Sequence, residues 1–453
     1  MSPRPALPAR LALLGLLGCG GRVAALEDGE WLPGGDTTSA LLLGSNAFLM
    51  PAQNLSPEHE QDFYSGNSFF NASWTEAPAS AEARDGLGPL FNARSCSGCH
   101  FKDGKAAPPE PGVGPFGGLL LRLSVPGEDG PVPDPIYGGQ LQDQANPNLP
   151  VELTPEVMWH ERDGAFDDGT AYSLTWPSFT VTDPQHGPPG DGLMMSPRVA
   201  PHMVGLGLLE AIPEDTLLAL ADPNDDDGDG ISGRVQRHEG GVGRFGWKAD
   251  AVDIEAQVAG AFAGDMGLTS RLVPVDDCTD AQTACLAEPS GGDPEVSDEI
   301  FDLVTLYSRA VAVPARRAAE DETVLYGKAL FNELGCAACH TPSHQTGASP
   351  LPELEDQKIW PYTDLLLHDM GEGLADDRPL GLASGQEWRT PPLWSLGLID
   401  EVSGHTRFLH DGRARSVEEA ILWHGGEAEA AQAAYVALSA NDRAALLVFL
   451  EDL

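Results

Sequence analysis

Cys-x-x-Cys-His occurs twice in this chain, at Cys96, Cys99 and His100 and again at Cys336, Cys339 and His340, and no other feature limits its fold as strongly. Two thiols at this spacing match the two vinyl groups of a haem, with which they form thioether bonds. The His that follows at once is then placed under the iron as its proximal ligand. CxxC by itself also serves zinc sites and thioredoxin-like redox centres. Its repetition, each time with His directly behind, favours two covalently bound c-type haems over those alternatives.

The chain of 453 residues has room for two or three domains and a sizeable core. Its formal charge is -43, from 69 acidic against 26 basic residues, which argues against nucleic acid and anionic lipid headgroups as partners. Such a surface suits small molecules or a basic redox partner, or simply keeps an exported protein soluble. Arg4 and Arg10 form a basic region ahead of an apolar run, Leu11 to Leu17, too short to span a bilayer. Leu16-Leu17-Gly18-Cys19 then resembles a bacterial lipobox, with plain secretory cleavage near Ala24 or Ala25 as the alternative. Either reading exports the protein to the periplasm-facing side, tied to the membrane only through lipid. Cys278 and Cys285 remain as an even pair, a local disulfide or two free thiols.

The chain divides into a signal segment (1–19), an N-terminal extension with little helical periodicity (20–80), a first haem domain with long insertions (81–315) and a C-terminal cytochrome c domain (316–453). In the last, Gly327 and Phe331 fall one turn apart on a helix over 322–334. The terminal helix, 440–453, shows a stripe of Leu446, Leu447, Phe449 and Leu450, and a Gly at the crossing of two such helices lets their backbones approach. Pro and Gly are frequent from Tyr172 to Pro201, where long loops are expected. The fold class expected is mainly α with long loops, two cytochrome c-like haem domains, the first heavily elaborated.

Ser416-Val-Glu-Glu419 reads as a capping box. On the helix it opens, Val417, Ala420, Ile421 and His424 share one face, so His424 points inward as a core residue or as the distal ligand of the second haem. Asp225, Asp227 and Asp229, followed by Gly230, match the start of a calcium loop, but Gln236 stands where the closing Glu belongs. A shortened Ca2+ site and an acidic turn both remain open.

The stretches GLGPLFNARSCSGCH (86–100), GLGLLEAIP (205–213), DPNDDDGDGISGR (222–234), FGWKAD (245–250), AFAGDMGLTS (261–270), LGCAACHTP (334–342), WRTPPLWSLGL (388–398) and FLHDGRARSVEEAILWHGG (408–426) together resemble the di-haem oxidoreductase family. That family, also labelled thiol oxidoreductase, is related to bacterial di-haem cytochrome c peroxidases and MauG-type enzymes. The resemblance implies a peroxidase-like oxidoreductase. Electrons from a small redox donor, a cytochrome or cupredoxin, pass through the C-terminal haem to a reactive N-terminal haem. That haem reduces peroxide or oxidises a small-molecule substrate. Where relatives place Met or Tyr as the distal ligand, this chain has His424, which implies bis-His ligation. Glu210 is the implied acid–base group, Trp247 the implied relay between haems, and His202 or Met203 an alternative sixth ligand of the first haem. Arg389 pairs with a propionate or lies on the surface; His410 and Asp411 hold the second haem's surroundings; Thr390-Pro391-Pro392 leaves open a second, inter-domain calcium. The thiol-oxidoreductase label finds no residues here, since the spare cysteines lack a CxxC. The alternative function is a di-haem electron-transfer cytochrome with no chemistry of its own; a redox-sensing or metal-handling accessory lipoprotein is a third.

Overall fold

The computed structural model describes residues 24–41, 43–80, 83–111 and 115–453. The signal segment with Cys19 lies outside them. Helix α1 (Pro57–Asn71) comes first, followed by strands β1 (Leu119–Gly127), β2 (Thr154–Ala165), β3 (Ala171–Thr182) and β4 (Met194–Val199). Helices α2 (Ile254–Met266), α3 (Asp298–Ala310) and α4 (Glu322–Glu333) follow, then short strands β5 (Leu367–Asp369) and β6 (Glu387–Arg389). Helices α5 (Val417–Leu422) and α6 (Ala440–Asp452) complete the set that positions the site.

The mainly-α expectation is overturned: helix accounts for 29% and strand for 18%. The strands arise where apolar residues alternate. In β1, Leu119, Leu121 and Leu123 are buried, and β4 pairs with it antiparallel from Leu119↔Val199 to Ser124↔Met194. Strands β2 and β3 form a twelve-rung hairpin, Thr154↔Thr182 to Ala165↔Ala171, through part of the stretch expected to be loop.

Two helix pairs repeat one design. Helix α1 crosses α3, and α4 crosses α6. At each crossing stands a glycine: a Cβ on Gly66 would lie 2.1 Å from the carbonyl oxygen of Leu303, and one on Gly327 would lie 2.1 Å from that of Ala445. One turn beyond each glycine a phenylalanine faces a ring on the partner helix. Phe70 lies 5.0 Å from Tyr307, and Phe331 lies 5.5 Å from Phe449. Helix α1, capped by Ser56 Oγ with Pro57 in the first turn, occupies the stretch read from sequence as an extension of little helicity.

One apolar core runs through both helix pairs, and a smaller one lies under β1 and β4; Trp247 packs against both. Cys278 and Cys285 form a disulfide. Among the described residues no helix is long and apolar enough to cross a membrane.

Candidate functional site

The two Cys-x-x-Cys-His segments fold alike. Each forms a short 3₁₀ turn, Cys96–Gly98 or Cys336–Ala338, and the His backbone N–H donates to the carbonyl of the first Cys, at 2.9 Å for His100 and 3.0 Å for His340. The four cysteines are not disulfide-bonded. Burial pushes the Cys96 thiol up to about 12 and the Cys336 thiol to about 11, the opposite of what an activated redox dithiol needs.

His100 and His340 are oriented by the same device. Nδ1 of His100 donates to the Pro201 carbonyl at 2.7 Å, and Nδ1 of His340 to that of Tyr362 at 3.0 Å. That bond fixes the tautomer and leaves Nε2 as the free lone pair, the arrangement of a metal-ligating imidazole. Burial lowers both rings to about 4, so they are neutral at physiological pH. Phe70 stands 6.3 Å from His100, and Phe331 stands 6.3 Å from His340. Both motifs line one continuous cavity of about 590 Å³ between the helix pairs.

The two ends of that cavity differ. Helix α5 begins as the sequence predicts, with Ser416 Oγ accepting from the Glu419 N–H at 3.0 Å. The Glu419 carboxylate does not close the box on Ser416; it accepts from the backbone N–H of Arg415 at 2.8 Å and of Thr175 at 2.6 Å, which ties β3 to α5. Just past α5, His424 gives Nδ1 to the Ala420 carbonyl at 2.7 Å and faces His340 with 6.5 Å between ring centroids. Two imidazole–metal bonds of about 2 Å each, plus the two ring radii, come to roughly 6 Å. The residues fit a six-coordinate haem iron between His340 and His424.

At the first motif the cavity is lined by Gln257, Gly260, Ala261 and Asp265 of α2. A Cβ on Gly260 would meet nothing within 4 Å. Asp265 sits close enough to raise both Cys96 and Cys99; its own carboxyl is pushed up by burial, with Gln140 donating to Oδ1 at 2.8 Å. Its chemistry was not read from the sequence, because nothing local marks one acid in AFAGDMGL as buried. His202 and Met203 also line the cavity, and His202 Nδ1 is buried without a partner. Their backbone, however, is tied to the Nδ1 side of His100 through the Pro201 carbonyl and to Asp103 through the Met203 N–H.

Glu210 does not line the cavity. It pairs with Arg309 at 2.7 Å and caps α2 through the Ile254 N–H at 2.9 Å, so it supports that helix from behind. Trp247 stands between the two ends: Nε1 donates to the Val199 carbonyl at 2.9 Å, and Lys105 Nζ lies 4.9 Å from its ring. His410 lies 6.4 Å from Trp247 and stacks on Trp388 at 3.7 Å, while Asp411 pairs with Arg413 at 2.8 Å.

Arg389 is buried, not on the surface, and its guanidinium donates to the carbonyls of Gly246 and Thr390, so at the Thr390 segment proposed for a second calcium a fixed cation already engages the backbone oxygens. In the acidic loop the carboxylates brought within 4.8 Å of one another belong to Asp222, Asp225 and Asp227. Asp229 turns away, accepting from the Ile231 N–H at 2.8 Å. His368, which the sequence reading passed over, stands beside Cys339 with a carboxylate at each ring nitrogen.

A sequence model of the family described as "Di-haem oxidoreductase, putative peroxidase" matches residues 31–115 and 165–453. No curated protein matches the chain. Among solved structures, a chain of hydrazine synthase from Kuenenia stuttgartiensis, pressurised with 20 bar xenon, aligns over 98% of this chain and 100% of its own. The identity is 14% and the TM-score 0.35, a likeness too low to carry an argument.

Proposed function

We propose, from the premise that this chain belongs to the di-haem oxidoreductase family, that it is a peroxidase-like enzyme whose two haem sites divide the work. Cys96, Cys99 and His100 hold one haem covalently, and Cys336, Cys339 and His340 hold the other. Haem bound at these sites supplies one-electron chemistry and, where a coordination position is open, a place for peroxide or a small substrate. The observation that carries the reading is the asymmetry of the cavity: His424 stands across from His340, whereas α2 lines the cavity with Gln257, Gly260, Ala261 and Asp265 and brings no imidazole to it.

The His340 end is thereby suited to receive and pass electrons. At the His100 end, Gly260 and Ala261 leave room for a small molecule. Asp265 also lines this space and, as a carboxylate, would take a proton from one peroxide oxygen and return it to the other. Gln257 lines the same volume and offers an amide to orient the substrate. Trp247, packed against both cores, bridges the ends and relays electrons from one to the other. The Cys278–Cys285 disulfide favours an oxidising compartment, in keeping with export and a lipid anchor on Cys19. The Asp222, Asp225 and Asp227 carboxylates are the ligands the loop offers a calcium ion.

Optical and EPR spectra of the oxidised and half-reduced protein test the division. One low-spin haem and one high-spin or cyanide-exchangeable haem that consumes peroxide are expected. Two low-spin haems indifferent to peroxide and cyanide would leave only electron transfer. His424→Ala is expected to turn the low-spin signal high-spin with both haems still attached. Asp265→Asn should slow the peroxide reaction about 10²- to 10⁴-fold without changing either spin state.

A further inference from the structure

His368 is held by both ring nitrogens. Nε2 lies 2.9 Å from Asp364 Oδ2 and Nδ1 lies 2.7 Å from Glu427 Oε2, with the three side chains only 3%, 2% and 12% exposed. The remaining oxygens are engaged as well: Leu366 N–H donates to Asp364 Oδ1 at 2.9 Å, and Ser232 Oγ donates to Glu427 Oε1 at 2.6 Å. A neutral imidazole donates through one nitrogen only, so a ring set between two carboxylates is an imidazolium. Burial opposes both charges, but the hydrogen bonds to Asp364, Cys339 and Glu427 hold His368 up at about 12, and those from His368 and Ser232 hold Glu427 down at about 2. His368 Nδ1 also lies 3.6 Å from Cys339 Sγ, and both His368 and Glu427 line the cavity. One buried cation, one buried anion and one partly buried anion therefore form a cluster whose imidazolium lies beside the second attachment cysteine.

We propose that Asp364, His368 and Glu427 form a fixed-charge cluster that sets the reduction potential of the haem site at Cys336–His340. The inference rests on the reading of His340 and His424 as that site's ligands. Reduction adds an electron, so the carboxylates disfavour it and the imidazolium favours it, and in a low-dielectric interior neither is screened as it would be in water. Charge is the operative property, and each member therefore acts with its own sign.

Potentiometric titration of the holoprotein, following the low-spin signal, provides the test. Glu427→Gln and Asp364→Asn are each expected to make reduction easier by about tenfold in its equilibrium constant, about 59 mV for one electron. His368→Gln, measured at pH 9 where both carboxylates stay ionised, is expected to make it harder by a similar factor. A purely structural role would not sort these substitutions by charge. Unchanged potentials, or shifts of one sign for all three, would overturn the proposal. Should His368→Gln fail to accumulate, the two carboxylate variants decide it, since both must move upward. A wild-type protein lacking a low-spin haem would instead refute the ligand reading beneath it, and the two failures are thus distinguishable.

Discussion

Each of the three imidazoles at this centre spends Nδ1 on a backbone carbonyl, and each is kept neutral by burial. A carboxyl near the first motif shows the same physics with the sign reversed. Asp103 is buried, which pushes it up to about 7 despite the Tyr307 hydroxyl that donates to it at 2.6 Å. Its folded pKa lies above its unfolded value, so the folded state holds the extra proton. Stability from this group is full below about pH 4 and is lost as pH rises toward 7. Asp103→Asn keeps an acceptor for Tyr307 and suits the positive φ of 58° at this position. The variant is expected to be more stable than the wild type at pH 8, by about 1–3 kcal/mol, and to lose that advantage at pH 4. Denaturant titrations of the holoprotein at the two pH values check it; an equal difference at both would remove Asp103 as the titrating group. Residues whose chemistry is consecutive were legible: Cys96 to His100, Cys336 to His340, and His424 with its capping turn. Asp265 and His368 were not, because each is defined by groups that only folding delivers. For Asp265 these are Cys96 and Gln140; for His368, Glu427 from far along the chain. Glu210 was chosen for its type and motif, and its partner Arg309 lies in a helix the motif does not include.

At the scale of elements the Gly-x-x-x-Phe pairing governs both helix crossings. Gly66→Ala and Gly327→Ala would each drive a methyl into a carbonyl, at 2.1 Å from Leu303 or from Ala445, so the helices must part. Each substitution is expected to cost about 1–3 kcal/mol, or somewhat more. The His100 haem should be disturbed by Gly66→Ala and the His340 haem by Gly327→Ala, as read by thermal unfolding and by each haem's spectrum. A large effect of Gly327→Ala with a silent Gly66→Ala would show that α1 and α3 do not serve the first motif as α4 and α6 serve the second. The α4–α6 pair was readable because the terminal helix carries a clear apolar stripe. Helix α1 was not: PEHEQDFYSGNSFFN is polar over most of its surface, and only Phe63, Gly66 and Phe70 are buried. Its capping Ser56 and Pro57 were the signal available. The β2–β3 hairpin was obscured by the Pro and Gly that follow it, although Tyr172, Leu174 and Trp176 alternate as a strand should.

For the whole molecule, the internal stretch between the two matched segments of the family model, 116–164, contains β1 and all but the last residue of β2. The hairpin made with β3 leans on the far half: Trp176 lies 6.2 Å from Trp423, and Asp168 pairs with Arg443 of α6 at 2.9 Å. The hairpin therefore buttresses α6 and the Trp423 that directly precedes His424. The charge, too, is a property of the whole fold. Among the described residues ten of the basic side chains are buried, including Arg198, Lys248, Arg389 and Arg413, and ten of the acidic ones. Against totals of 26 and 69, folding hides a far larger share of the positive charge than of the negative. The surface is thus more one-sided than the sequence total implies, and haem propionates add to it. A small basic electron donor should be drawn in over several ångströms, and that attraction is what salt screens. The second-order rate of reduction by such a donor is expected to fall at least about tenfold between roughly 10 mM and 500 mM ionic strength, with little change in the rate of transfer within the complex. Stopped-flow kinetics separates the two steps. A salt-independent second-order rate would place the donor on an apolar patch, and the acidity would then serve only to keep the protein in solution.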